Sequence, residues 1–420
     1  MSKDKNLEAY SILIFTLLSI SLFIGFYFNE DGSGGGSKTD FLLTWPYIVN
    51  LNNNFLNYLR EWSNIHLPLH YIIISFFFKF LDSIDTIRLF FCLISLSLPI
   101  LFYKCLRIKF EYIDKNYLLI FASSIILLPT FRYTAIWANV QITAQIFFLI
   151  SLYYFLCWSK TNKKKIDKLL IFQTIFLALS VYTRQDYAIY YIFFMFYYFR
   201  TLNFIDFIKL IFFVLLLAFP GILFVYEQTS VVKYIKFTPK VQNFVLVNSS
   251  MLSFYLIPIF LTVIRKNLNF LKNDFRFLTY SFIFFSIIVI LFAQSYNYDY
   301  KLGGGFILKL SLIIFNSNYL FYLSSVIGLT LLAYLSKSNL NNLFFIILLI
   351  FGYSADVVYQ KYFEPIFIFS LFLIIKTNLL DEFLKDKKNI FLVYLFNIFY
   401  LVSAIINQVF LFSRSINYPL

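Results

Sequence analysis

YSILIFTLLSISLFIGFYF, residues 10–28, carries no charged side chain and stops abruptly at NEDGSGGGSKTD, residues 29–40. A helix rising about 1.5 Å per residue needs a run of this kind to cross a hydrocarbon core about 30 Å thick. Lys3 and Lys5 stand ahead of it, as in a signal peptide. The run is long, however, and ends in FYFNEDG with no small-x-small cleavage site. It reads as an uncleaved first span with a cytoplasmic N-terminus. Both histidines and four of the eleven glycines follow within 29–71.

Outward from this run, apolar stretches of roughly 18–22 residues recur along the whole chain. The composition is 60% hydrophobic and 13% charged, with 58 Phe and 33 Tyr. A water-soluble domain of this length cannot bury that much apolar surface. Ten-residue segments of alternating polarity are missing, which argues against a transmembrane β-barrel. The fold class is therefore all-α, a polytopic membrane protein forming one transmembrane domain over 1–420 without a separate soluble domain. Cys92, Cys105 and Cys157 lie in or beside apolar runs without CxxC spacing. They read as packing thiols, neither a disulfide framework nor a zinc site.

Thirteen spans are predicted, near 10–28, 87–105, 116–132, 138–158, 168–183, 187–200, 208–226, 243–264, 277–294, 318–336, 342–356, 361–376 and 389–411. With the N-terminus inside, most of the 35 Lys and Arg fall on the cytoplasmic side. The net charge of +14 is thus an expression of the positive-inside rule, and no nucleic-acid partner is expected. KTNKKKIDK (160–168) marks a cytoplasmic loop most strongly.

The first outer loop, 29–86, is much longer than the other connections, which makes it a candidate functional element. Two juxtamembrane helices are expected in it. One covers 40–62, where Phe41, Leu42, Trp45, Ile48, Val49 and Leu51 alternate with Asn52–Asn54, Asn57 and Arg60. The other is HLPLHYIIISFFFKFL (66–81), laid in the interface because counting it as a span would put Lys104, Arg107 and Lys109 outside. Glu30 and Asp31 leave the first span, and Asp40 stands where it could cap the first juxtamembrane helix. The glycines of GSGGGSK allow the loop to fold back and bring these acids together. Converging carboxylates suit a general base, or a divalent cation (Mg or Mn) held against a phosphate; no other cofactor is implied. His66 and His70 are four residues apart with neither an HExxH glutamate nor a third histidine, so phosphate or sugar hydrogen bonding fits them better than a metal. Interfacial packing fits them too.

Further polar residues gather on the same predicted face. Arg184, Gln185 and Asp186 (YTRQDY, 182–187) lie between two spans. Lys301, Gly303–Gly305 and Lys309 (YNYDYKLGGGFILKL, 296–310) form a second glycine loop with lysines able to meet a phosphate as point charges. Asp356, Lys361 and Glu364 come from DVVYQKYFEP (356–365), and Arg132 and Trp137 flank a short turn. Each alone is also a plausible interfacial anchor.

The arrangement resembles the GT-C superfamily of integral-membrane glycosyltransferases, including aminoarabinose and mannosyl transferases. The resemblance rests on acids after the first span (Glu30–Asp31 or Asp40), then DFLLTWPYI and the Pro-containing HLPLHY. The Thr183-Arg184-Gln185 run loosely resembles an Arg-Gln signature of dolichyl-phosphoglucose-dependent members. The family's adjacent acid pair is here Glu30-Asp31, with Asp40 nine residues on, and a large soluble outer domain is missing. What the resemblance implies is a sugar moved from a polyprenyl-phosphate donor to a lipid-linked or surface-glycan acceptor at the extracytoplasmic face of a bacterial inner membrane. Asp40 is then the first choice of base, with Asp31 and Glu30 next. Donor contacts are expected from His66, His70, Arg184, Gln185, Lys301, Gly304, Lys309, Lys361 and Glu364. Two rivals are a lipid-linked oligosaccharide flippase, which would carry charges inside its spans, and a Wzy-like O-antigen polymerase, which would rely on arginines in large outer loops.

Overall fold

The computed structural model describes residues 2–408 apart from 65, 82, 162–164, 228–239, 267, 299–302, 338 and 356; the side chains of 2–5, 262–266 and 268–273 also lie outside the description. Among the described residues every regular element is a helix. The chain divides into two compact units, Met1–Lys236 with Tyr394–Leu420, and Phe237–Val393.

The first unit opens on α1 (Ser2–Tyr27), whose apolar side chains face outward on most sides. Such a helix has no hydrophilic face to give to water, and lipid is the solvent that suits it. The long predicted loop follows as α2 (Gly36–Asn53), α3 (Phe55–Arg60) and α4 (Leu69–Phe78). The predicted single helix over 40–62 is thus two, starting four residues early and broken at Asn54 (φ −148°, ψ 74°). Next, α5 (Ile84–Ser95) and α6 (Ser97–Lys109) run on as one apolar span, opened by a Ser83–Thr86 capping box. Asp114 and Asp167 cap α7 (Lys115–Ser123) and α10 (Lys168–Thr183) by accepting from Asn116 N and Leu170 N. Between them lie α8 (Pro129–Ile136) and α9 (Val140–Ser159). The predicted straight span over 116–132 is bent by 67° ahead of α8. Leu128 is extended there (φ −69°, ψ 126°), as the residue before a proline prefers. The unit continues with α11 (Ala188–Thr201) and α12 (Phe204–Glu227). It is completed from Tyr394 by the later turns of α20 (Lys387–Ile406), where Tyr394 Oη donates to Ile120 O (2.7 Å) and Asn397 Nδ2 to Ser124 O (3.1 Å).

The second unit comprises α13 (Val241–Lys266), α14 (Leu268–Gln294), α15 (Gly305–Phe315), α16 (Tyr319–Ser336), α17 (Leu340–Gly352), α18 (Ile366–Leu373), α19 (Asn378–Lys385) and the first turns of α20. Here α13 and α16 pack closely enough that a Cβ at Gly328 would meet Ser249 O at 2.2 Å. Small residues are the usual way for membrane helices to approach like this.

Eight described helices are long and apolar enough to cross a membrane, or up to ten if each of two bent pairs is one span. They mark the chain as an integral membrane protein. The eight coincide with predicted spans, and the bent pairs overlap the predictions over 116–132 and 361–376, the second pair turning by 100° between Leu373 and Asn378; the predictions over 168–183, 187–200 and 342–356 correspond to shorter helices of 16, 14 and 13 residues.

Candidate functional site

The acidic junction is built by the turn after α1. Gly35 takes φ 90° at the N-cap of α2, a left-handed conformation that costs a glycine nothing. The chain can therefore reverse, and Asp31, not Asp40, caps the helix. Asp31 Oδ2 accepts from Lys38 N (2.9 Å) and Oδ1 from Ser33 N (3.1 Å) and the Ser33 hydroxyl; Ser33 Oγ in turn accepts from Ser37 N (2.8 Å). Asp31 N donates to Gln408 Oε1 (3.1 Å). Burial pushes the Asp31 carboxyl above its ordinary range; the Ser33 and Lys38 hydrogen bonds work against this, and the charge of Asp40 adds to it. The turn thus brings Asp31 within electrostatic reach of Asp40, which sits half-buried on the second turn of α2.

Glu30 is spent differently. Arg132 of α8 grips it through Nε–Oε1 (2.7 Å) and Nη2–Oε2 (2.6 Å), and donates also to Ser21 Oγ and O. The pair needs Gly25: a Cβ there would lie 2.3 Å from Glu30 Oε2. Trp137 Nε1 donates to Glu30 O (3.1 Å). Arg88 of α5 stacks on Trp137 at 3.7 Å while donating to Ile136 O, Asp85 and Asn29 Oδ1. Asn139 Nδ2 reaches Ser37 Oγ (2.7 Å). The acidic turn is therefore clamped to the corner between α8 and α9 from both ends.

A second cluster forms where α2, α3 and α4 meet. Tyr47, Tyr58 and Trp62 pack edge to face and Tyr71 tilts against Trp62, with ring centroids 5.3 Å apart for Tyr47–Trp62 and 5.4 Å for Trp62–Tyr71. The buried Tyr71 hydroxyl hydrogen-bonds with Asn64 and lies within electrostatic reach of both Asp40 and Arg184. Burial drives this phenol well above its ordinary value, the Asn64 bond opposing. Arg184 follows α10, is buried, and is held by Asp186 through Nε–Oδ1 (3.0 Å) and Nη2–Oδ2 (2.7 Å). Gln185 beside it is exposed.

The two histidines part company. His70 is buried, with Nε2 donating to Ala138 O (3.0 Å), so its Nδ1 accepts from the Thr143 hydroxyl (2.9 Å). Burial lowers its pKa to about 3, and both ring nitrogens are used inside the fold. His66 is half-buried; its backbone carbonyl accepts from Trp62 Nε1 (2.9 Å) and its N–H donates to Asn64 Oδ1 (2.9 Å). Among the described residues, no three His, Cys, Asp or Glu side chains are grouped to hold a metal.

In the second unit, Lys301 and Asp356 lie outside the described residues. Gly304 N donates to Val358 O (2.9 Å). Glu364 is fully buried and accepts from Tyr255 Oη (2.5 Å), which accepts from Gln360 Nε2 (2.9 Å); Gln360 Oε1 accepts from Phe306 N (2.9 Å). Gly304 and Glu364 thus each belong to hydrogen-bonded contacts that hold the second glycine loop against the segment 358–364. Lys361 lies 5.3 Å over the Tyr359 ring, and Lys309 is exposed on α15.

Sequence reading missed Arg88, Tyr255 and the grouping around Tyr71. Arg88 had a signal, an ionisable residue within an apolar run. Tyr255 had none, being one of 33 tyrosines. No protein-family model, curated protein or solved structure matches the chain.

Proposed function

We propose that this chain is a GT-C-type membrane glycosyltransferase with thirteen spans, moving a sugar from a polyprenyl-phosphate donor to a lipid-linked or surface-glycan acceptor at the extracytoplasmic face. The observation that supports the reading is that the buried Tyr71 hydroxyl lies within electrostatic reach of both Asp40 and Arg184, with the half-buried Tyr47 and Tyr58 of the same aromatic group able to offer ring faces to a sugar. A base and a phosphate-seeking cation are the two charges such a transfer needs.

In the proposed reaction Asp40 takes the proton of an acceptor hydroxyl. The acceptor oxygen bonds to the anomeric carbon, the bond from that carbon to the phosphate oxygen breaks, and the electron pair leaves with the phosphate. Arg184 stabilises the growing charge while Asp186 holds the guanidinium in place. Asp31 shapes the turn, and Glu30 fixes Arg132.

Purified protein in detergent, given a polyprenyl-phosphate sugar and an acceptor, tests this. Transfer without a bilayer is expected, and a flippase cannot produce it. Asp40→Ala is expected to lower the rate by about 10²–10⁴-fold, the range for loss of a general base. Normal surface glycan in cells carrying Asp40→Ala would overturn the carboxylate mechanism.

A further inference from the structure

Where α9 ends and α10 begins, exposed basic side chains gather beside the ends of membrane-crossing helices. The span made by α5 and α6 ends at Lys109, and α9 ends at Ser159. Lys104 and Arg107 of α6, and Lys160, Lys165 and Lys168 around the start of α10, are all exposed. Lys160 Nζ donates to Glu111, two residues beyond α6, so the two helix ends belong to one surface. The neighbouring acids are already engaged. Glu8 is met by Lys115 at 3.7 Å, while Asp114 and Asp167 cap helices by accepting from Asn116 N (2.7 Å) and Leu170 N (3.0 Å). The surface that Lys104, Arg107, Lys165 and Lys168 present is positive.

The turn that carries Lys165 is folded onto the end of α9. The buried Trp158 Nε1 donates to Lys165 O (3.0 Å), and Thr161 N and Oγ1 both donate to Trp158 O, at 3.0 and 2.8 Å. Below it lies apolar surface. Lys168 stands one helical turn before Phe172, which is 43% exposed. Phe172 and the half-buried Phe176 both stack on Tyr154 of α9, with ring centroids 5.3 and 5.8 Å apart. Cations therefore border a face of stacked aromatic rings.

We infer that this surface binds an anionic phospholipid, with the phosphate at Lys165 and Lys168 and an acyl chain along Phe172, Tyr154 and Phe176. Lys104 and Arg107 strengthen the positive field around it. Basic clusters beside spanning helices attract anionic head groups, and aromatic side chains suit the boundary between head group and hydrocarbon. An acidic protein or a free phosphate would meet the charges and leave the rings bare, whereas a phospholipid covers both. Arg184 lies at the opposite end of α10, so this lipid is separate from the donor of the proposed transfer.

Native mass spectrometry and thermal shift on the full chain in detergent test the site. The probes are phosphatidylglycerol, phosphatidylcholine with the same acyl chains, and glycerol phosphate without chains. Expected is binding of phosphatidylglycerol with a raised melting temperature, and little effect from the other two. Each basic side chain removed should weaken binding about fivefold, so Lys165→Gln with Lys168→Gln loses about 25-fold, while Lys168→Arg keeps it. Phe172→Ala should weaken binding as well. Lys79→Gln with Lys309→Gln removes the same net charge at two other exposed positions and should leave binding unchanged. Equal binding of the two phospholipids, or an equal loss in the two double variants, overturns the site. Preference for a polyprenyl phosphate over phosphatidylglycerol overturns the assignment to a bilayer phospholipid. All of these readouts are independent of sugar transfer.

Discussion

At the residue scale, the three acids beside α1 have different environments: Glu30 is paired with Arg132, Asp31 is buried in the turn before α2, and Asp40 is half-buried. Glu30 and Arg132 are nearly enclosed, at 11% and 4% side-chain exposure. Removing one partner of such a pair strands a buried charge, at a cost of about 3–5 kcal/mol. Arg132→Ala and Glu30→Ala are each expected to lower the melting temperature in detergent sharply, whereas Glu30→Leu with Arg132→Met recovers most of the loss. Equal melting of wild type and the single variants would show that the pair contributes nothing. Asp31 offers a pH test. Its folded pKa lies above the ordinary 3.8, so the charged form carries the burial cost at neutral pH. As pH falls through the folded value the native chain takes the proton before the unfolded chain does, and stability due to Asp31 rises until pH reaches 3.8. Wild type should therefore gain on Asp31→Asn as melting is followed from about pH 7 down to about pH 4; a difference independent of pH contradicts this. The acids themselves were readable from sequence, because they abut an uncharged run. Their division of labour was not, because Arg132 and Gln408 arrive from 102 and 377 residues away.

At the scale of elements, breaks in the helices carry the information that hydropathy hides. Pro220 interrupts α12, and the gap is filled from α10: Tyr182 Oη donates to Leu217 O (2.6 Å) and accepts from Gly221 N (3.0 Å). The phenol thus stands between two groups that an unbroken helix joins directly, a recognised cause of bending. Tyr182→Phe leaves both without this partner, at about 1–3 kcal/mol. The expected result is a lower melting temperature together with faster amide hydrogen exchange around Gly221; unchanged exchange there would show that the hydroxyl does not hold the break. Gly221 is also where a Cβ would press on the Tyr182 ring at 2.9 Å. The proline was visible in the sequence, as was Pro129 before α8. Which side chain mends each break depends on packing between helices, and apolar periodicity does not record it. The same limit explains the first loop: its helical content was legible from alternating apolar and polar residues, but the glycine-permitted start at Gly36 and the break at Asn54 were not.

At the scale of the whole molecule, the eight straight candidate spans were legible because lipid demands long, nearly uncharged runs, and that demand is written in composition rather than in pairing. Orientation rests on a different signal, the uneven placement of basic residues. It predicts that the segment carrying α2 to α4 faces outward and that the loop after α9 faces the cytoplasm. Asn57 on α3 and Lys160 at the end of α9 are both exposed and lie on opposite sides of that prediction. With the half-buried Cys157 replaced by serine, a membrane-impermeant thiol reagent should label Asn57→Cys in intact cells and Lys160→Cys only after permeabilisation. Labelling in the reverse order would place Asp40, Tyr71 and Arg184 on the cytoplasmic side. A transferase built on them would then draw on a soluble sugar donor as readily as on a lipid-linked one, so the thiol experiment bears on the substrate as directly as on the topology.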